Sequence, residues 1–188
     1  MLGLRAARDS VSANPGAVKR GRSTVFDIDV PFDRYRDVVR DEWIDANDHM
    51  NVGYYLVVFD FATDAFLSWI GLDAEHRRAH DITTFAAEAH VTYHREVRAS
   101  DRLRFTTHLL GFDAKRIHYI HGMYHAVEGY LAATNELMSL HVSRATRRTA
   151  PMARSVLERL ERILAAHSNV PRPPQAGRRI GLDVRPSA

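Results

Sequence analysis

Residues 43–55, WIDANDHMNVGYY, place Asp45, Asn47, Asp48 and His49 just ahead of a largely apolar run, YYLVVFDF. That grouping has two readings. Acidic and amide side chains before an apolar segment are common helix caps, because their oxygens accept from the first free N–H groups of the helix. The same side chains can also do chemistry at a carbonyl. A carboxylate activates water or attacks directly, while an amide and an imidazole orient the reactants. The N–H groups and partial positive charge at a helix start then receive the oxyanion that forms. On this second reading the backbone N–H groups of Val52 and Gly53 are the donors, and Gly53 also lets a ligand approach the backbone closely.

The elements that must position this loop follow from the patterning. Tyr35–Ile44 is short, mixed and reads as a strand. Tyr54–Ile70 lacks proline and glycine and is apolar on nearly every face, as expected of a helix enclosed by other elements. Gly71 is its natural stop, and Asp60 and Asp64, on one face, are its polar exceptions. After a polar connection at 72–81 the period drops to two. In 82–97, Phe85, Ala87, Ala89, Val91 and Tyr93 alternate with Thr84, Ala86, Glu88, His90 and Thr92. Alternation resumes from Leu103 to Leu109, Arg116 to Val127 and Tyr130 to Val142, with turn sequences between. Short turns predict consecutive antiparallel neighbours.

Pro151–His167 predicts an amphipathic helix with Val156, Leu157, Leu160, Ile163 and Leu164 as its stripe. The expected class is α+β, an antiparallel sheet of about five strands curled around one central helix. Residues 25–150 form this domain, 151–168 the C-terminal helix, and 169–188 a proline- and arginine-rich tail without regular structure. Residues 1–24 read as a disordered extension.

Composition narrows the function classes. The chain of 188 residues is 45% hydrophobic and 26% charged, which suits one folded domain with two tails. It has no cysteine, which excludes disulfides and thiolate metal sites and fits a reducing compartment; the cytoplasm is the expected location. No uninterrupted apolar run approaches the roughly 20 residues that span a bilayer. Most excess basic charge sits at the two ends, leaving Phe26–His141 net acidic, which is the wrong placement for a nucleic-acid surface. His90, His94, His118, His121 and His125 invite a metal reading. On a strand, however, 118 opposes 121 and 125, and no second cluster completes a ligand set. Neither metal nor cofactor is expected.

The stretch Asp45-Ala46-Asn47-Asp48-His49-Met50-Asn51 resembles the D-x-N-x-H-[MV]-N signature of hotdog-fold acyl thioesterases, whose β-α-β-β-β-β order matches the one read above. FAAEAHVTYHREV, THLLGFDAKRIHYIHGMYH, AATNELMSLHV and PRPPQAGRRIG are similar to one subgroup. It is the thioesterase domain fused to, or encoded beside, L-carnitine dehydrogenase, with a proposed role on betainyl-CoA. The likeness covers residues 35–181. One departure is Asp48, where that subgroup usually has glycine; aspartate tolerates the left-handed conformation better than most residues.

The resemblance implies hydrolysis of an acyl-CoA to free acid and coenzyme A, with betainyl-CoA as candidate substrate. It implies Asp45 as base or nucleophile, with Asn47 and His49 orienting water and thioester. Glu88 is a second carboxylate, on the strand where the plant acyl-carrier-protein thioesterases carry a functional glutamate. Asp60 and Asp64 are further options, because some hotdog thioesterases use a helix carboxylate. Trp43, Tyr54, Tyr55 and Tyr93 offer a cage for a quaternary ammonium by cation–π attraction, and Lys115, Arg116 and Arg144 offer cations for coenzyme A phosphates. A homodimer or higher assembly is implied, with no nucleic-acid or membrane partner. Two alternatives stay open. One is a hotdog enoyl-CoA hydratase, whose D-x-N-P-x-H pattern differs at Asp48 and in the position of the histidine. The other is a non-catalytic acyl-CoA sensor.

Overall fold

The computed structural model describes residues 27–182; the extension read as disordered, 1–24, lies outside them. In chain order the elements are β1 (Phe32–Val38), α1 (Val52–Trp69), α2 (Ala74–Ala79), β2 (Ile82–Tyr93), β3 (Arg102–Phe112), β4 (Arg116–His125), β5 (Leu131–Ser143) and α3 (Arg154–His167). The strands form one antiparallel five-stranded sheet in the order β1-β3-β4-β5-β2.

Period-two alternation sorts each strand into an inner face against α1 and an outer face. Register aligns Tyr93, Ala133, Met123 and Phe105 in one inner row, and Val91, Asn135, His121 and Thr107 in the next. Two apolar clusters fill the space beneath α1. At its start, Tyr55, Val58 and Phe59 pack with Val39, Trp43, Met50, Leu103, Phe105 and Met123. At its end, Phe66, Leu67 and Ile70 meet Leu109, Ile117, Tyr119 and Leu137, and α3 closes this side with Val156, Leu160 and Ile163.

Between the clusters lies a polar layer. The His121 ring is fully buried, with Nδ1 2.8 Å from the Thr107 hydroxyl and Nε2 2.9 Å from the Thr63 hydroxyl. Hydroxyls suit either tautomer, so this ring is satisfied while neutral. A second buried ring, His167, is fixed more tightly. Its Nδ1 accepts the Leu109 N–H at 2.9 Å and its Nε2–H donates to the Asp29 carbonyl at 2.9 Å, an arrangement that only the neutral form permits.

Four expectations are corrected. The segment 35–44 is not one strand: β1 starts earlier, at Phe32, and after Val38 the chain enters a 3₁₀ turn, Asp41–Trp43, that drops the Trp43 indole into the core. The polar connection contains α2, capped by Asp73, whose Oδ1 accepts the His76 N–H at 2.7 Å; a helix this short with no buried side chain leaves little periodic signal. β2 and β3 are not hairpin neighbours. The chain between them carries a fully buried residue, Val97, and returns from one edge of the sheet towards the other, so β2 pairs with β5 instead. Finally, α1 is not enclosed all round: Val52, Leu56, Val57 and Phe61 are exposed.

Burial holds both rings neutral in the fold, pushing the pKa of His121 down from 6.5 to about 3 and that of His167 downward. The unfolded chain therefore binds protons first as pH falls. Stability should be complete above about pH 6.5 and decline below it by roughly 1.4 kcal/mol per pH unit for each ring, until that ring protonates in the fold. Urea unfolding at pH 7.5 and pH 5.5 measures this; equal midpoints would contradict it.

Candidate active site

The loop 45–49 is closed by its own backbone. Ile44 and Met50 form an antiparallel bridge, the Asp45 N–H donates to the His49 carbonyl and the Asp48 N–H to the Asp45 carbonyl, each at 3.1 Å. The Asn47 N–H donates to Asp45 Oδ1 at 2.8 Å. Such a tight circuit needs one residue with left-handed backbone, and Asp48 supplies it at φ 60°. Two further bonds fix the loop to the core. The Met50 N–H donates to Val97 C=O and the Asn51 N–H to Trp43 C=O, both at 2.9 Å.

The result sets Asp45 and His49 side by side, with Oδ1 and Nδ1 4.0 Å apart and side chains 24% and 35% exposed. Both are reachable from solvent yet held by backbone. The first turn of α1 begins immediately after. Its cap is Asn51, whose Oδ1 accepts the Gly53 N–H at 3.0 Å. This corrects the expected donor pair, because Gly53 already has an acceptor. The exposed Val52 N–H has none among the described residues, so the helix-end donor reduces to Val52. Asn51 was missed as a cap, although an asparagine directly ahead of a helix is itself the signal.

A family model described as thioesterase-like superfamily matches residues 39–160. The chain belongs to that superfamily. It is 41% identical over 148 residues to a betainyl-CoA thioesterase of Pseudomonas aeruginosa, an alignment covering 79% of this chain and 93% of that one. It is 38% identical to an L-carnitine dehydrogenase/betainyl-CoA thioesterase of Agrobacterium fabrum, covering 79% of this chain but only 30% of that longer protein. A Staphylococcus aureus protein solved in complex with CoA superposes with a TM-score of 0.75 at 26% identity, covering 83% and 99% of the two chains. A putative thioesterase of Pseudomonas putida gives 0.70 at 34%, covering 81% and 97%. The sheet and central helix are thus those of the hotdog fold, and the protein is a thioester hydrolase acting on acyl-CoA.

The thioesterase does not gather every candidate around Asp45. The aromatic set splits into two pairs: Trp43 stacks on Tyr54 with centroids 5.8 Å apart, and Tyr93 meets Tyr55 edge-on at 5.1 Å. Trp43 and Tyr55 are buried, and the Arg40 guanidinium already lies 4.6 Å from the Trp43 ring centre. The four-ring cage is therefore not formed. Tyr54 and Tyr93 retain accessible ring surface, and the Tyr93 hydroxyl donates to Val52 C=O at 3.4 Å.

Glu88 is set apart from the loop. A bulge between Ala86 and Glu88 and the pairing of Glu88 with Met138 put it on the outer face, in a cavity with His90, His118 and Glu136. Lys115, Arg116 and Arg144 lie at the opposite end of the sheet, by the β3–β4 turn and the end of β5. Arg116 is bonded to Asp113 there, and Arg144 sits 3.9 Å from Asp81. Asp60 and Asp64 lie on the exposed side of α1. Burial among its apolar neighbours, then the charge of Asp64, raise the Asp60 pKa, while Asp64 contacts Arg77 at 3.3 Å. Of the histidines, His118 bonds to Glu136 at 2.6 Å and His125 faces Asp101 at 3.3 Å.

Three substitutions at two positions check this local architecture by urea melts. Asp48→Gly should be neutral or slightly stabilising, whereas Asp48→Val should lose about 1–2 kcal/mol, because a branched side chain resists positive φ. Asn51→Ala should cost about 1 kcal/mol through loss of the cap.

Proposed function

We propose that this thioesterase hydrolyses betainyl-CoA to betaine and coenzyme A, and that it works as a homodimer in the cytoplasm. The observation that carries the chemistry is the backbone-locked Asp45–His49 pair at the foot of α1. Asp45 takes a proton from water, the hydroxide adds to the thioester carbonyl, and the oxyanion faces the Val52 N–H and the positive end of α1. Collapse breaks the carbon–sulfur bond, and the proton held by Asp45 passes to the departing thiolate. His49 and Asn47 position water and carbonyl. The substrate rests on the 41% identity to a betainyl-CoA thioesterase across 93% of that protein.

The dimer rests on two exposed features that adjoin. Among the described residues β2 is an edge strand paired only with β5, and α1, whose first turn meets the Tyr93 end of β2, presents Val52, Leu56, Val57 and Phe61 to solvent. Contiguous apolar surface next to an unpaired edge is what a second copy covers. Antiparallel pairing of two β2 edges sets the partner's strand start beside the Tyr93 end. The Lys115, Arg116 and Arg144 end of the partner then approaches this Asp45 loop, giving those cations a route to coenzyme A phosphates that they lack within one chain.

A thioester panel with betainyl-CoA and its uncharged isostere 3,3-dimethylbutanoyl-CoA tests the reading. Wild type should prefer betainyl-CoA, and Asp45→Asn should lower kcat by about 10²–10⁴-fold with the fold intact by circular dichroism. Wild type that binds acyl-CoA yet hydrolyses none would establish a sensor instead. Full activity in Asp45→Asn would move the base elsewhere, with Asp60 first in line.

A further inference from the structure

The tail has no regular structure, as its prolines predict, yet it crosses the outer face of the sheet. Its departure from α3 is set by His167, whose two ring nitrogens bond to Leu109 and Asp29. Val170–Gln175 then roof a cavity of about 370 Å³ floored by Thr106, Ile120, Gly122 and Thr134. Ile120 and Thr134 point outward, yet they are only 2% and 4% exposed, so the strap is a real covering.

Its far anchor is Glu136. One carboxylate oxygen accepts the Gly177 N–H at 2.7 Å and the other meets His118 Nε2 at 2.6 Å. Gly177 has φ +80° with nothing near its missing Cβ, so its freedom serves to turn the backbone, not to make space. Beyond this anchor Arg178–Ile180 roof a second cavity, of about 590 Å³, floored by Glu88, His90 and Met138. The strap has therefore passed over β3, β4, β5 and β2 in their spatial order, arriving at the edge strand.

What arrives there is unspent. Ile180 and Leu182 are 92% and 95% exposed. Arg178 and Arg179 form no ion pair among the described residues, and neither does Glu88, although all three line the same cavity. A transverse segment that reaches an open edge continues, in an edge-paired dimer, onto the neighbouring copy. We infer that residues 178–182 are an arm that docks on a second copy of this chain, with Ile180 and Leu182 on its outer sheet face and the two guanidinium groups meeting the partner's Glu88. The two-fold makes the exchange reciprocal, so Glu88 serves assembly instead of thioester chemistry. The inference rests on the β2-edge dimer proposed above.

Sedimentation equilibrium on full-length chains tests it. Glu88→Arg alone, the pair Arg178→Glu with Arg179→Glu, and the pair Ile180→Asp with Leu182→Asp should each weaken the dimer about tenfold, at unchanged circular dichroism. Mixing the Glu88→Arg chain with the Arg178→Glu, Arg179→Glu chain should restore wild-type affinity as a heterodimer, because each arm then faces an opposite charge across the seam. A contact within one chain leaves like charges facing in both proteins, and mixing restores nothing; that result, or variants that leave the dimer constant unmoved, overturns the arm alone. A wild type that stays monomeric at every concentration removes the edge pairing and the arm together.

Discussion

The bond from the Met50 N–H to Val97 C=O joins the site loop to the segment that carries the chain from one edge of the sheet to the other. Asp45 and His49 have no rigid element of their own, since they sit in a five-residue circuit between a 3₁₀ turn and a helix. Their placement depends on what holds the two ends of that circuit. Val97 holds one point and the Trp43 carbonyl, through Asn51, holds the other. Both anchors belong to the apolar cluster beneath the start of α1, so packing in that cluster sets the position of the carboxylate relative to the helix end.

The interior divides labour along α1. Aromatic and aliphatic layers at the start and end of the helix supply most of the burial, and the layer between them is polar. His121 satisfies two threonine hydroxyls there, while its neighbour in register, Asn135, is buried with both amide atoms unpartnered among the described residues. An amide without partners is costly, so this layer favours a specific arrangement over maximum stability, whereas the apolar layers do the reverse.

Much of this was legible in the residues. The period change near residue 82, the uninterrupted apolar segment 54–70 and the motif around Asp45 gave the strands, the central helix and the loop. Asp48 was read as tolerating a left-handed position because the resembling subgroup usually has glycine there, and its φ is 60°. What escaped the sequence was relational. Alternation assigns faces but not neighbours, so β2 was placed beside β3 when it belongs beside β5. Alternation alone could not show that Glu88 points to the outer face, because a bulge beside it shifts the register. The four aromatic residues grouped by the sequence divide into two pairs, and only burial separates Trp43 and Tyr55, which hold the core together, from Tyr54 and Tyr93, which keep accessible surface. The open side of α1 was hidden for a related reason: a helix apolar all round looks the same whether its cover comes from its own chain or another.

The pairing of β2 with β5 also imposes an order on synthesis. Residues 82–93 have no sheet partner until residues 131–143 have left the ribosome, so the nascent chain carries an unmatched strand and a greasy helix through the making of two further strands. Long-range pairing of this kind closes late. The segment holding Val97 is drawn to its final place by that closure, so the 45–49 loop, tied to Val97 through Met50, settles among the last events of folding.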